Sequence, residues 1–99
     1  MTRVSLSKDE SCWHLIVYGH AGYAAAGNDV VCAGISTLTF TLMNYIGQYD
    51  QIWKDITEIP PAIDMWVAST PEIDEIMNFV ITGYRLIEEQ YPEYIKVNT

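Results

Sequence analysis

Hydrophobic positions along this chain follow two periods, and the points where the period changes divide it into elements. Arg3 to Leu6 and Cys12 to Tyr18 are short runs rich in β-forming residues. The polar stretch Ser7 to Ser11 between them reads as a hairpin connection, so two antiparallel strands are expected. In the second run Trp13, Leu15 and Val17 alternate with His14, Ile16 and Tyr18. One face is thus apolar and the other mixed, as on a sheet that helices cover from one side.

From Val30 the period lengthens. Ile35, Leu38, Leu42, Tyr45, Ile46 and Tyr49 recur at helical spacing, which predicts a helix from Val30 to about Tyr49 with Asn28 or Asp29 as its cap. Pro60 and Pro61 forbid a central strand through that point, and Ala62 to Ala68 reads as a strand after them. Thr70 is a capping hydroxyl followed by Pro71, Glu72 and Asp74, a strong helix start. Ile73, Ile76, Met77, Val80, Tyr84, Ile87 and Tyr91 then form one stripe. Pro92 ends this second helix, and Tyr94, Ile95 and Val97 offer a last short strand. The order predicts an α+β, two-layer fold: a largely antiparallel sheet of four or five strands with two main helices packed on it.

Composition narrows the class. With 99 residues, 49% of them hydrophobic and 18% charged, one core and a single domain over residues 1–99 are expected. No apolar run is long enough to span a bilayer and the first residues carry no apolar leader, so a cytoplasmic protein without membrane contact is expected. A net charge of -8 argues against nucleic acid as partner and suits a basic protein or peptide. Cys12 and Cys32 read as two thiols rather than a bridge. Together with His14 and His20 they lack metal-site spacing, so no metal or cofactor is expected.

The distinctive chemistry lies between Gly19 and Ser36. His20 leaves a strand, a loop with three glycines runs from Gly19 to Gly27, and Asp29, Cys32 and Ser36 surround a helix start. A thiol in the first helical turn sits where unpaired N–H groups and the positive dipole end favour thiolate, the reactive form. A folded-back loop would bring His20 within reach of Cys32 as base and later acid, completing a nucleophile and its partner. Backbone N–H groups around Val31 and Cys32 are candidates to hold an oxyanion. Ser36, one turn on, shares the face of Cys32, and Asp29 is a candidate to cap the helix, to orient His20, or both. Taken singly, each residue has a plainer reading: Cys32 as a small buried hydrophobe, His20 as a strand end, and Ser36 bonding a carbonyl one turn back. Cys12 reads as packing and His14 as a sheet-face residue, while a thiol sensor built on Cys12 and Cys32 requires the sulfurs to meet.

At these residues the chain resembles the ribosomal-processing cysteine protease family, Prp. Its hallmark is a Gly-His-Ala loop followed by an Asp-(Ile/Val)-Val-Cys-Ala helix start. Here those read Gly19-His20-Ala21-Gly22 and Asp29-Val30-Val31-Cys32-Ala33, with Ser36 also matching and Glu89 to Ile95 similar to the family's junction between helix and last strand. The resemblance implies a dimeric cysteine endopeptidase, with Cys32 and His20 as dyad and Asp29 and Ser36 in support, that trims the N-terminal extension of large-subunit ribosomal protein twenty-seven. It implies cleavage after an aromatic residue in a short apolar motif that precedes a basic segment. Gly19, Ala21, Gly22, Tyr23 and Gly27 would form the loop that moves to admit peptide. Relatives in phage genomes add a capsid or scaffold precursor as an alternative substrate, and a noncatalytic peptide-binding module of the same fold is the alternative to an enzyme.

Overall fold

The computed structural model describes residues 1–25, 27–59 and 62–99. Its elements are, in order, β1 (Thr2–Lys8), β2 (Cys12–Tyr18), α1 (Val30–Ile46), β3 (Lys54–Ile59), β4 (Ala62–Ala68), α2 (Pro71–Gln90) and β5 (Ile95–Asn98). Strand β1 runs past Ser7, because pairing with β2 continues to Lys8 opposite Trp13 and leaves only Asp9 to Ser11 for the turn. The Asp9 carboxylate closes that turn by accepting the N–H groups of Ser11 and Cys12, each at 2.8 Å.

The five strands lie in the order β3-β4-β2-β1-β5. Among the described residues three neighbouring pairs are antiparallel and one, β1 with β5, is parallel. The expected α+β architecture is therefore present, with β3 and β5 at the sheet edges. Strand β3 stops at Ile59 and β4 starts at Ala62, and the expectation attached to Pro60 and Pro61 lies outside the described residues.

Alternation decides which face is covered. Val4, Leu6, Trp13, Leu15, Val17, Met65, Val67, Ile95 and Val97 are buried beneath the two helices, which contribute Val31, Ile35, Leu42, Ile46, Ile73, Met77, Val80 and Tyr84. The inner stripe of α1 is not quite the one the spacing predicts. Tyr45 is exposed, whereas Thr39 is buried because its hydroxyl is satisfied twice: it donates to the Ile35 carbonyl at 2.7 Å and lies 2.6 Å from the Tyr84 hydroxyl. Helix α1 also ends at Ile46 rather than near Tyr49. The N–H groups of Gln48 and Tyr49 reach only three residues back, to Tyr45 and Ile46, a tightened turn that stops the α-helical ladder.

Thr70 caps α2 as expected, its hydroxyl accepting the Ile73 N–H at 3.1 Å, with Pro71 in the first turn. The helices approach closely at Gly83, where an added Cβ would come within 2.9 Å of a Leu38 methyl. Asp74 in the first turn of α2 accepts the Trp13 indole N–H at 2.6 Å and the Ser69 hydroxyl at 2.7 Å, which ties the helix to the sheet. On the open face the His14 ring stacks on Trp66 at 3.7 Å, and its Nε2 lies 2.7 Å from an Asp64 oxygen, so His14 is the sheet-face residue expected. Among the described residues no helix is long and apolar enough to cross a membrane.

Candidate active site

Strand β2 ends against a glycine that no other residue replaces without strain. Gly19 has φ +92, and a Cβ there would stand 2.5 Å from the Met1 carbonyl oxygen. The Thr2 hydroxyl donates to the Gly19 carbonyl at 3.4 Å. The turn carries His20 off the sheet, and Ala21, only 3% exposed, plugs the chain back into the core directly after it. Gly22 and Gly27, at φ +72 and +87, supply the next backbone reversals of the loop.

The loop ends at Asp29, the cap of α1. Its carboxylate accepts the Cys32 N–H at 2.9 Å, the Tyr23 N–H at 3.1 Å and the Ala24 N–H at 3.5 Å. These bonds favour the ionised form. The Cys32 N–H leads in holding the carboxyl below its ordinary value, partial burial opposes it, and the Ala24, Tyr23 and Val31 N–H groups add to it. Asp29 therefore acts as the cap and as a tie for the loop; its contacts are with backbone N–H groups and not with His20. Of the N–H groups considered for an oxyanion, that of Cys32 is taken by the Asp29 carboxylate in this structure.

Cys32 is the third residue of α1 and is partly buried. Beside it a cavity of about 200 Å³ runs between α1 and the sheet, walled by His20, Cys32 and Ser36 with Thr2, Phe40 and Glu58. On the loop side a second space, of about 580 Å³, is walled by the same His20, Cys32 and Ser36 together with Ala21, Gly22, Gly27 and Asp29. All four residues singled out at the helix start and strand end thus converge, and three of them border both spaces. His20 and Cys32 share walls rather than a hydrogen bond.

Sequence reasoning did not anticipate Thr2, Phe40, Glu58 and Ile63 in the inner wall. They come from four elements, and only the strand order, which no local pattern encodes, brings them together. The alternation of β3 carried a partial signal, since Glu58 pairs with Ile63 on the helix-facing side. Cys12 and Cys32 are both free thiols, and among the described residues no three His, Cys, Asp or Glu side chains gather as metal ligands would.

This arrangement has known counterparts. A family model described as "Cysteine protease Prp" matches residues 1–96. A ribosomal processing cysteine protease Prp of Mycoplasma genitalium is 26% identical over 99 residues, covering 99% of this chain and 95% of that protein. Its Staphylococcus aureus counterpart is also 26% identical, covering 96% of this chain and 93% of its own. Among solved structures, an essential ribosomal processing protease Prp from S. aureus with a covalently linked product peptide superposes with a TM-score of 0.83 at 29% identity, covering 99% and 98% of the two chains. The same enzyme with a substrate peptide gives 0.75 at 28% identity and the same coverage.

Proposed function

The chain belongs to the cysteine protease Prp family, and we propose that within it Cys32 is the nucleophile and His20 the proton carrier of a ribosomal-processing endopeptidase. The observation that carries this reading is the convergence of His20, Cys32 and Ser36 on the wall between two adjoining spaces. In this reading the Cys32 thiolate attacks the scissile carbonyl carbon. The tetrahedral intermediate expels the amine as His20 donates its proton to it, and water then hydrolyses the thioester, losing its own proton to His20. Ser36 lines the substrate's path, and Asp29 keeps the helix start in place.

The inner cavity supports a substrate with a large apolar or aromatic side chain beside the cut, since Val17, Ile35, Phe40 and Ile63 line it. The substrate proposed is the precursor of large-subunit ribosomal protein twenty-seven, whose basic segment the -8 chain would attract. The rest of the reading is a single domain acting as a homodimer in the cytoplasm, with a phage structural precursor as the alternative substrate. The test is mass spectrometry of a peptide spanning the ribosomal extension after incubation with enzyme. One cut by wild type, retained in Cys12→Ala and lost in Cys32→Ala and His20→Ala, is expected. Binding without turnover by wild type would instead make the protein a peptide-holding module.

A further inference from the structure

Tyr23 lies in the loop between His20 and the cap of α1, and two tyrosines from the opposite end of the chain hold it. Its ring meets Tyr91 edge-on, with centroids 5.4 Å apart and planes at 80°, and Tyr94 likewise at 5.2 Å and 83°. These are favourable edge-to-face geometries. Tyr23 as a whole remains 43% exposed, so burial alone does not hold it there.

Both receiving rings are fixed to the frame. Tyr91 closes α2, its N–H bonded to the Ile87 carbonyl. The Tyr94 carbonyl accepts the Thr2 N–H at 2.9 Å, and the Tyr94 N–H reaches the Tyr91 carbonyl at 3.0 Å. On its other side the Tyr23 N–H binds the Asp29 carboxylate, which also holds the Cys32 N–H. The loop is thereby clamped between the start of α1 and the end of α2 at the one aromatic residue it carries. Immediately before it, Gly22 has positive φ and open space where a Cβ would stand, so the turn into Tyr23 is one that glycine makes without strain.

We propose that Tyr23 is a positioning residue: its seat between Tyr91 and Tyr94 latches the glycine loop against the start of α1 and so sets the geometry in which His20 serves Cys32. The proposal rests on the reading of His20 and Cys32 as the reacting pair. Among the described residues the Tyr23 hydroxyl makes no hydrogen bond, so phenylalanine is expected to serve as well as tyrosine.

The test uses Tyr23→Phe, Tyr23→Ala and Tyr94→Leu, with two independent readouts. In hydrogen exchange, Tyr23→Ala is expected to speed the amides of residues 23 and 24 by roughly tenfold, the scale of losing two aromatic contacts, while Leu15 and Met77 in the core keep the wild-type rate. Tyr23→Phe is expected to match wild type, and Tyr94→Leu to have little further effect in the Tyr23→Ala background. With the cleavable peptide, Tyr23→Ala is expected to lower kcat more than it raises KM, and Tyr23→Phe to restore both. Unchanged loop exchange in Tyr23→Ala overturns the latch whatever the peptide assay shows. Accelerated exchange with unchanged kcat leaves a structural clasp and overturns the positioning role. Wild type that cuts nothing defeats the protease reading, and with it the catalytic part of the proposal, while exchange still decides whether the latch exists.

Discussion

The Asp29 carboxylate holds the backbone N–H of Cys32 at 2.9 Å, so the residue that carries the thiol is tied to the loop through one acidic side chain. Asp29→Ala removes both the cap and the loop tie. Its melting temperature is expected to fall by about 5 °C, and Asp29→Asn, an equally good cap, by about 2 °C or less. The acid limb supplies the sign. Because folding lowers the Asp29 carboxyl below 3.8, its contribution is present above that value and lost as pH falls through the folded one. Urea unfolding at pH 7 and at successively lower pH is expected to show the Asp29→Asn deficit at pH 7 and its shrinkage as pH falls below the ordinary carboxyl value. Equal melting of wild type and Asp29→Ala would remove the cap from this account. Asp74, lowered chiefly by the Trp13 indole N–H, is expected to give the same pH signature through α2.

Tyr84 governs the alkaline limb. Burial raises its phenol to about 12, against the help that its bond to Thr39 gives the phenolate. A group raised in the folded state contributes fully below its unfolded value near 10, and the contribution is lost as pH rises from there towards 12. Tyr84→Phe is therefore expected to flatten the fall in stability above pH ~10 while costing about 1 kcal/mol at neutrality, because Thr39 keeps its bond to Ile35. Thr39→Val, which strands the buried Tyr84 hydroxyl, is expected to cost more, about 2 kcal/mol. Chemical denaturation across pH checks both, and a Tyr84→Phe curve parallel to wild type above pH ~10 contradicts the assignment.

Gly19 and Gly22 separate two kinds of backbone demand. Gly22→Ala meets open space and incurs only the conformational cost of its positive φ, about 1 kcal/mol. Gly19→Ala adds a collision with backbone at Met1, so a loss of about 3 kcal/mol or more is expected, together with distortion of the cavity wall at Thr2. Calorimetry of the two variants is the check; equal losses would show that Met1 simply moves aside.

Much of this was legible because it is local. Cys12–Tyr18 and Ala62–Ala68 carry strand periodicity at the bounds observed, and Thr70-Pro71 announces a helix start through chemistry confined to one turn. That His20 and Cys32 border common spaces was legible from their placement beside a glycine loop and a helix start. Thr39 was not: a hydroxyl on an inner helix face reads as exposed until its partner Tyr84, forty-five residues on, is known. Glu58 and Phe40 were hidden for the same reason, since β3 and α1 meet at the cavity only through the sheet order.

The parallel pairing of β1 with β5 also makes the sheet late to close. Thr2 lies beside Ile95, nearly the whole chain away, and β2 must wait for β4. Sheets closed by such distant partners form slowly and late, because the entropy of bringing the ends together is spent before any contact rewards it. During synthesis the second residue of the chain therefore has no neighbour on its outer side until β5 has left the ribosome. The cavity wall that Thr2 supplies thus belongs to a strand whose outer partner is among the last parts of the chain to be made.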